Sequence, residues 1–344
     1  METTHRVVVG DSRDMADVPA DSVELVVTSP PYPMVEMWDE TFSQLRASIG
    51  HALERGDGRL AFEQMHEELD RTWAEVERVL VEGGIACINI GDATRTLGDR
   101  FRVYQNHSRV VDAFESMGFD PLPEILWRKP TNSAAKFMGS GMLPPNAYPT
   151  LEHEYLLPFR NGGRRSFEPK ADRRYEAAYF WEERNDWFSD VWMDITGTLQ
   201  ALGEDDIRER SGAFPFEIPY RLISMFSVYG DTVLDPFWGT GTTTLAAMVA
   251  ARDSIGYELD AGFTAVFDDR VDSVPEMSDD VIRRRLDRHR AFVEERREDG
   301  DPPSYESREY GFPVVTKQER DIRFYRAKSV EGGSDTYTVE HAPF

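Results

Sequence analysis

The sequence predicts an α/β protein built on a doubly wound, mainly parallel, Rossmann-like sheet, and two observations predict it. Short apolar runs rich in valine and isoleucine alternate with longer segments in which apolar residues recur at helical spacing. Several of the short runs end abruptly in a polar or glycine-rich turn, and parallel sheets bind their ligands at such strand ends. A chain of 344 residues can hold one large domain of this kind with an insertion, or two domains.

The first third of the chain follows this alternation closely. The polar segment 33–58 shows no sustained periodicity, so we expect a mobile segment over the site. Gly83 and Gly84 are expected to end the first long helix. The predicted strands are 6–11, 23–28, 85–90 and 124–128, and the predicted helices are 62–80 and 104–117.

The pattern changes at residue 130, where prolines and glycines predict a loop over 130–150. A strand over 153–159 follows, and Pro158 favours an edge position or an early end for it. After an insertion at 160–192 the α/β alternation returns. The predicted elements are then a helix at 218–228, a strand at 232–235, a helix at 242–251, a strand at 254–258, a helix around 281–293, and a β appendage or ordered tail at 310–344.

The net charge of the chain is −24. Nucleic-acid binding gains its free energy from basic residues, so such acidity ordinarily argues against that class of partner. Here, however, only five of the 39 basic residues are lysines, and the 63 acidic residues are spread along the whole chain. This composition indicates a halophilic protein whose surface is adapted to a saline cytoplasm, where salt screens charge. The alternative is an acidic surface that repels nucleic acid and serves a small molecule or a protein.

Several classes of site are excluded by composition. A single cysteine, Cys87, excludes an internal disulfide and a multi-cysteine zinc site, and the seven histidines form no pair at metal-ligand spacing, so we expect no metal. No apolar run approaches the roughly 18 residues that a membrane span needs, and the first residues lack a signal-peptide pattern. We therefore expect a cytoplasmic protein without a membrane partner.

The stretch that organises the chain is the predicted strand Val23–Thr28 with the polar turn after it. Two successive prolines, Pro30 and Pro31, stop both strand and helix. The turn therefore holds Ser29 and Tyr32 at the carboxyl end of a strand, where open α/β sheets bind ligands. An ordinary Pro-Pro turn is the alternative interpretation of these residues taken alone.

A second candidate loop is the glycine-rich turn at 235–243, between a strand and a helix. Gly239 and Gly241 let the backbone approach a ligand closely, and the amides at the helix start can bind an anion. No Gly-Lys-Ser/Thr follows, so this is not a Walker loop. Glu258 stands at the end of the next strand, where a carboxylate can bind paired ribose hydroxyls. A nucleoside fits both features, although a tight turn and a solvated acid would have the same sequence.

Arginines and aromatic residues are interleaved in the insertion at 160–192. Arginine beside aromatic rings is the combination that phosphate contact, base readout and base stacking require. The alternative is a small subdomain whose aromatic residues form its own core. The residues predicted to bind nucleic acid are Arg160, Arg164, Arg165, Lys170, Arg173 and Arg174.

The order of five motifs along residues 6–262 resembles that of the S-adenosyl-L-methionine-dependent DNA amino-methyltransferases. The proline-rich motif precedes the glycine-rich one, as in the permuted β group of that family, with a target-recognition region between them. The motifs are Gly10-Asp11-Ser12, Thr28-Ser29-Pro30-Pro31-Tyr32, Phe214-Pro215, Asp235-Pro236-Phe237-Trp238-Gly239-Thr240-Gly241-Thr242-Thr243 and Gly256-Tyr257-Glu258.

The resemblance implies a division of the chain and a role for each motif. Residues 1–130 would be the catalytic half of a methyltransferase core, 131–210 the loop, strand and target-recognition region, and 211–262 the cofactor-binding half; 263–344, a helix and tail, are not covered. S-adenosyl-L-methionine is the implied cofactor and double-stranded DNA the implied partner, with a restriction endonuclease as a second partner to be sought. The implied catalytic residues are Ser29, Pro30, Pro31 and Tyr32, and the implied cofactor-binding residues are Asp11, Phe214, Pro215, Asp235, Pro236, Phe237, Gly239, Gly241, Thr242 and Glu258.

The residues make chemical sense in these roles. An exocyclic amino group is a poor nucleophile because its lone pair is delocalised into the ring, so the Ser29 hydroxyl and the Pro30 carbonyl would hold its hydrogens during direct displacement. Tyr32 could stack on a base flipped out of the duplex. Cytosine-C5 methylation needs a nucleophilic cysteine after a proline, and Cys87 follows an alanine.

Details of the motifs bear on which base is modified. Ser29 resembles the cytosine-N4 branch, and residues 33–39 resemble archaeal methylases that act on CTAG. Two positions depart from the family pattern, because Ser211-Gly212 stands where His-Pro is common and Trp238 where a small residue is usual. Adenine-N6 methylation, a non-catalytic DNA-binding protein on a methylase scaffold, and methylation of RNA or of a protein amide remain as alternatives.

Overall fold

The computed structural model describes residues 1–129, 138–195, 214–333 and 335–344, and it confirms the α/β class. Its strands are, in chain order, β1 (Glu2–Val9), β2 (Val23–Thr28), β3 (Leu80–Ile90), β4 (Ala93–Leu97), β5 (Arg100–Tyr104), β6 (Phe119–Pro121), β7 (Ile125–Arg128), β8 (Met138–Gly139), β9 (Ala147–Tyr148), β10 (His153–Asn161), β11 (Val191–Trp192), β12 (Thr232–Asp235), β13 (Asp253–Glu258), β14 (Tyr305–Glu306), β15 (Pro313–Val314), β16 (Tyr325–Gly333) and β17 (Thr336–Pro343). Its α-helices are α1 (Asp39–Leu45), α2 (Ala47–Glu54), α3 (Gly58–Val79), α4 (Asn106–Ser116), α5 (Asp172–Glu176), α6 (Trp181–Trp187), α7 (Glu217–Phe226), α8 (Thr242–Ala250), α9 (Gly262–Val271) and α10 (Val274–Glu298).

Eleven strands form one central sheet, in the order β11-β7-β10-β3-β2-β12-β13-β1-β17-β16, with β6 paired to β10. The five strands from β3 to β1 are parallel, whereas β10 is antiparallel to β3 and β17 is antiparallel to β1. The chain leaves β2 towards β3 and leaves β12 towards β13, in opposite directions. The boundary between β2 and β12 is therefore the switch point at which doubly wound sheets bind ligands.

Helices cover both faces of this sheet. On one face, α3 and α4 bury side chains such as Trp73 and Phe114 against β2 and β3. On the other face, α7 and α8 bury Ile218, Leu245 and their neighbours. The sequence patterns predicted these helices because their apolar residues recur at helical spacing. None of the described helices is long and apolar enough to cross a membrane.

The prediction that Gly83 and Gly84 end the first long helix is wrong. The helix α3 ends at Val79, and both glycines lie inside β3, where the pairing with β2 is irregular. Gly83 has a φ of 78°, and a Cβ on it would stand 2.4 Å from the backbone nitrogen of Arg165. Glycine is needed there because another chain segment crosses close to the strand.

The edge position that Pro158 suggested is also wrong, because β10 lies inside the sheet between β3 and the pair β6 and β7. Pro158 is opposite Cys87 of β3, and its carbonyl accepts a hydrogen bond from Leu122, in the gap between β6 and β7. The N–H that proline lacks would face this gap, so its absence removes no hydrogen bond between strands. This local geometry, and not an edge position, explains why the sheet tolerates a proline here.

Three further regions differ from the sequence patterns or refine them. Residues 33–58 form α1, α2 and a short 3-10 helix, and the hairpin β4–β5 was not predicted. Residues 310–344, for which a β appendage or an ordered tail was predicted, include β16 and β17, which join the central sheet beside β1. The sheet therefore continues into the part of the chain that the motif resemblance does not cover.

Candidate active site

The two candidate loops meet at the switch point of the sheet. β2 and β12 are parallel neighbours, with Leu25 opposite Val233 and Val26 opposite Leu234. At their carboxyl ends the Thr28 hydroxyl donates a 2.6 Å hydrogen bond to Asp235. Residues that are 207 positions apart thus share one hydrogen bond, and the Ser29 turn and the 235–243 turn face a single cleft.

Asp235 is a buried carboxylate whose hydrogen-bond donors, among the described residues, are all neutral. Besides Thr28, it accepts hydrogen bonds from the Thr243 hydroxyl at 2.6 Å and the Phe237 amide at 3.1 Å. Burial raises the pKa of Asp235 to about 6, although these three donors act in the opposite direction. The ionised carboxylate of Asp235 therefore has no cationic group beside it among the described residues.

Glu258 and Asp11 complete an acidic rim on the ends of β13 and β1. Glu258 accepts hydrogen bonds from the amides of Gly239 and Asp260, at 2.8 and 3.0 Å, and burial raises its pKa. Asp11 lies next to it in space, because the Gly10 amide donates to the Glu258 carbonyl. Hydrogen bonding from Arg13 lowers the pKa of Asp11. The structure thus brings together the acids that the motifs singled out.

The turn 235–243 has the conformation that its glycines predict. Gly239 and Gly241 have φ values of 53° and 75°, in the left-handed region that favours glycine. A Cβ on Gly239 would meet a single atom, the Phe237 carbonyl at 3.9 Å, so the space above it is open. Pro236 and Thr242 are buried at the two ends of the turn.

Trp238, which departs from the family pattern, points away from this open space. Its ring lies against Gly256, where a Cβ would be 2.1 Å from the indole, and packs on Phe267 with ring centroids 4.9 Å apart. The indole nitrogen donates to the Thr244 hydroxyl at 2.8 Å. The large side chain therefore fills the core behind the turn and leaves the ligand side unchanged.

Phe214 and Pro215 are buried just before α7. The helix α7 precedes β12 and packs against β2 and α8, so its first residues lie at the carboxyl edge of the sheet, close to the cleft. The second departure from the family pattern, Ser211-Gly212, lies outside the described residues.

A network of hydroxyl and amide groups fixes Ser29 and Tyr32. The Tyr32 hydroxyl donates to Glu154 at 2.8 Å, and it lies 3.2 Å from the Ser29 hydroxyl. Because the phenolic hydrogen is committed to Glu154, Ser29 must donate at the second contact. Asn89 Nδ2 donates to the Tyr32 oxygen at 2.9 Å and to the Ser29 oxygen at 3.3 Å. One lone pair of the Ser29 oxygen is thereby left for a donor that enters the cleft.

Glu154, Asn89 and Lys129 are site residues to which sequence reasoning gave no role. Asn89 donates to Glu154 at 2.9 Å, and Lys129 forms an ion pair with the same carboxylate. The one signal for Asn89 was its polar side chain inside the apolar run 85–90, since a buried polar group needs partners. The side-chain oxygen of Asn89, Oδ1, is buried and has no hydrogen-bond donor among the described residues. Glu154 lies in β10, and Lys129 directly follows β7, its antiparallel neighbour. Sequence periodicity does not reveal which strands are neighbours.

The structure does not bring the six basic residues of the insertion to this cleft. β10 starts at the cleft and runs antiparallel to β3, so Arg160 is opposite Ile85, at the far end of the sheet from Ser29. Arg160 pairs with Asp120 and Arg165 with the buried Asp231, both at 2.6 Å. The guanidinium groups over the ring of Phe167 belong to Arg165, Arg173 and Arg174, and the exposed members of the set are Arg164, Lys170, Arg173 and Arg174.

Of the aromatic residues of the insertion, Phe180, Trp187 and Trp192 are buried, whereas Tyr175, Trp181 and Phe188 are exposed, so the insertion does not form a core of its own. Phe180 is fully buried with Ile282, Phe324 and other residues of the C-terminal part, and it stacks on His289 with centroids 4.1 Å apart. Glu182 accepts from His289 at 3.0 Å, so a buried polar pair joins the insertion to α10. The insertion is therefore fastened to the C-terminal part of the chain.

The cofactor side of the cleft fits S-adenosyl-L-methionine. The cofactor carries a sulfonium, an ammonium, a carboxylate and two ribose hydroxyls. Asp235 and Glu258 offer carboxylates that lack a cationic partner among the described residues, which suits the positive groups and the hydroxyls. The first amides of α8, which starts at Thr242, suit the carboxylate.

Comparison with known proteins agrees with this geometry. A family model described as DNA methylase, N6_N4_Mtase, matches residues 23–268. Type II methyltransferase M.MthZI of Methanothermobacter thermautotrophicus is 51% identical over 328 residues, which are 94% of this chain and 91% of that protein. Type II methyltransferase M.MjaI of Methanocaldococcus jannaschii is 50% identical over 280 residues, which are 78% and 91% of the two chains.

Solved structures show the same architecture. The DNA modification methylase TTHA0409 of Thermus thermophilus, in complex with S-adenosyl-L-methionine, has a TM-score of 0.62 and 33% identity, over 79% of this chain and 95% of that one. The cytosine-N4-specific PvuII DNA methyltransferase, at 17% identity and a TM-score of 0.54 over 77% and 85% of the two chains, shares the fold. The motif order, the joined strand ends and these matches together make the chain a member of the N6/N4 DNA methylase family, a site-specific DNA methyltransferase whose cofactor is S-adenosyl-L-methionine.

Proposed function

We propose that this enzyme methylates the exocyclic N4 of cytosine in double-stranded DNA, on a base flipped out of the duplex. The observation that carries the proposal is the Ser29 hydroxyl, which is half-buried at the cleft and donates to Tyr32. Its lone pairs can accept a hydrogen from an amino group, and Ser29 stands where the adenine-N6 branch usually carries an acidic or amide side chain. Adenine-N6 is the alternative target.

The residues of the catalytic side have distinct tasks in this proposal. Ser29 and the Pro30 carbonyl hold the amino hydrogens while the nitrogen becomes tetrahedral, and Tyr32 offers its ring to the flipped base. Bound S-adenosyl-L-methionine supplies the methyl group. Glu154 fixes the Tyr32 hydroxyl and, through it, the direction in which Ser29 donates. Lys129 balances the charge of Glu154 so that the carboxylate stays in place.

On the cofactor side, we assign Asp235 and Glu258 to the positive groups and hydroxyls of the cofactor. Gly239 gives the backbone open space in which to approach it, whereas Gly241 makes room for the core rings of Phe267 and Trp238. Asp11 would face the adenine, with Phe214 and Pro215 closing the site. These assignments are supported by the position of all the residues along one edge of neighbouring strands.

The relatives also suggest a biological setting. Two similar proteins are named Type II methyltransferases, so we propose that this enzyme is the modification partner of a restriction endonuclease. The scarcity of lysine and the net charge of −24 favour a saline cytoplasm. CTAG is the first site to test, because residues 33–39 resemble methylases that act on it.

The test is methyl transfer from labelled S-adenosyl-L-methionine to unmethylated DNA, at increasing KCl concentration. Nucleoside analysis of the product distinguishes N4-methylcytosine from N6-methyladenine, and single-molecule sequencing gives the modified site. We expect N4-methylcytosine at one short sequence. N6-methyladenine would replace the cytosine assignment, and label on RNA or protein instead of DNA would overturn the proposal.

A further inference from the structure

We infer that the DNA duplex docks against two hairpins beside the cleft and that Met142 and Leu143 enter its base stack. The two are β4–β5 and the segment 138–148 with strands β8 and β9, and together they are called the hairpin wall. The inference rests on the proposed function and adds to it the surface that holds DNA.

Both hairpins leave the sheet at the edge where Ser29 lies. The β4–β5 hairpin follows Gly91 and Asp92 directly, and Asn106, just after it, donates to the carbonyls of Pro33 at 3.1 Å and Gly91 at 2.9 Å. The base of this hairpin is thus bonded to the chain that follows the catalytic turn.

Lys129 and Glu152, which flank the segment that contains the second hairpin, lie beside each other at the cleft. Lys129 forms the ion pair with Glu154, and the Lys129 amide donates to the Glu152 carbonyl at 2.7 Å. The two hairpins also touch, since Phe101 and Tyr148 stack with ring centroids 5.1 Å apart. They form one continuous surface on one side of the cleft.

The charge of the hairpin wall differs from that of the rest of the chain. The second hairpin, residues 138–148, holds no charged residue, and β4–β5 carries three arginines against one acidic residue, Asp99, in a chain with 63 acidic and 39 basic residues. In β5, Arg100 and Arg102 have no carboxylate partner among the described residues, and Arg102 lies over the Tyr104 ring. A surface on which arginines outnumber acidic residues, beside the cleft of a chain that is otherwise strongly acidic, suits a polyanion.

The tip of the second hairpin carries the two most exposed large apolar side chains of the described residues. Met142 is 85% exposed and Leu143 is 71% exposed. The hydroxyl of Ser140 donates to the Leu143 carbonyl, which holds the tip in a tight turn. Proteins that distort DNA insert such apolar side chains between base steps. The gap that a flipped base leaves behind is a site of this kind.

The charge of the hairpin wall is tested with the double variant Arg100→Ala/Arg102→Ala. Loss of two phosphate contacts should raise the KM for DNA roughly tenfold and reduce the slope of log KM against log salt by about 1 to 2, with kcat unchanged. The matched control is Arg164→Ala/Lys170→Ala, which removes the same charge at the far end of the sheet. Equal effects of the two variants would overturn the charge argument.

The tip is tested with the double variant Met142→Ser/Leu143→Ser. On a paired duplex we expect kcat/KM to fall about 10- to 100-fold, because flipping a paired base takes a few kcal/mol. A duplex with a mismatch at the target base should restore most of the activity, since its base is already unpaired. An equal loss on both duplexes, or no loss on either, would overturn the role of the tip.

A DNA-binding measurement distinguishes a failure of this inference from a failure of the proposed function. If wild-type protein transfers no methyl group, the proposed function fails, and fluorescence anisotropy with a short CTAG duplex still tests the hairpin wall. The Arg100→Ala/Arg102→Ala variant should then bind about tenfold more weakly than the Arg164→Ala/Lys170→Ala control. Unchanged binding, or a change in the oligomeric state of the DNA-free protein, would show that the hairpin wall serves another partner.

Discussion

The two sides of the cleft hold their buried carboxylates in different ways. On the catalytic side, Glu154 is paired with Lys129 and accepts from Tyr32 and Asn89. On the cofactor side, Asp235 accepts from hydroxyls and an amide and has no cationic partner among the described residues, and burial raises its pKa to about 6. The charge of Glu154 is therefore balanced within the protein, whereas that of Asp235 is not. In the proposed function, the sulfonium and ammonium of S-adenosyl-L-methionine balance Asp235.

The largest effect should come from the catalytic side. In Ser29→Ala we expect kcat to fall about 10²- to 10³-fold, because an acceptor that acts in the transition state is lost. The affinity for S-adenosyl-L-methionine in calorimetry should stay the same. Ser22→Ala is the control, since Ser22 precedes the same strand at its other end and donates to the Pro19 carbonyl. A loss of cofactor affinity in Ser29→Ala would break the separation of the two sides.

On the cofactor side, Asp235→Asn should lower the affinity for S-adenosyl-L-methionine about 100-fold, because a buried countercharge for the ligand is removed. The same change should not destabilise the ligand-free protein at pH 8. The pKa of Asp235 is higher in the folded than in the unfolded chain, so the resulting stabilisation is complete below about pH 4 and lost as the pH rises through 6. Wild type thus carries a penalty of order 3 kcal/mol at pH 8 that asparagine avoids.

Urea unfolding of the ligand-free proteins at pH 8 and pH 4 measures this difference. The free energy of unfolding of Asp235→Asn minus that of wild type should be larger at pH 8 than at pH 4, which means that the variant gains stability relative to wild type at the higher pH. In wild type, the affinity for S-adenosyl-L-methionine should decline as the pH falls through about 6, where Asp235 takes up a proton. An affinity that is independent of pH between 5 and 8 would contradict the assignment of Asp235.

A smaller effect is expected from the positioning residue Glu154. In Glu154→Gln the ion pair with Lys129 is lost but acceptors for Tyr32 and Asn89 remain, so kcat should fall about tenfold with unchanged cofactor affinity. Lys129→Met/Glu154→Gln should lose less activity than the product of the single losses, because neither partner is left with an unpaired charge. Initial rates of the four proteins give this coupling. Independent effects would mean that the pair does not act as a unit.

The smallest effect on the reaction is expected at Trp238. Trp238→Phe should lower the free energy of unfolding by about 1 to 3 kcal/mol, since the indole packs on Gly256 and Phe267 and bonds to Thr244. Cofactor affinity should change less than twofold, measured by calorimetry beside urea unfolding. A large loss of affinity in a folded variant would mean that this residue shapes the ligand side after all.

The positions of the catalytic turn and of the cofactor-binding turn could largely be predicted from neighbouring residues in the sequence. Ser29 directly follows β2, and Asp235 and Glu258 are the last residues of β12 and β13; parallel strands bring such positions to one edge. The glycines of the 235–243 turn have the positive φ values that their residue type indicates. These features depend on a few neighbouring residues, so the sequence carries them.

Features that depend on strand direction were not predictable in this way. Glu154 reaches Tyr32 only because β10 lies antiparallel beside β3, and the same nine-residue strand carries Arg160 to the opposite end of the sheet. A basic and aromatic composition does not tell where its segment lies. Trp238 shows a related limit, because the space for its ring is provided by Gly256, in a different strand.

The position of β1 within the sheet has a consequence for how the chain reaches its native state. Both neighbours of β1 come from far along the chain, β13 at Asp253–Glu258 and β17 at Thr336–Pro343. During synthesis on the ribosome, the backbone groups of β1 have no native partner until those segments have emerged. Such long-range pairing slows folding. The part of the sheet centred on β1 can therefore be completed only near the end of synthesis.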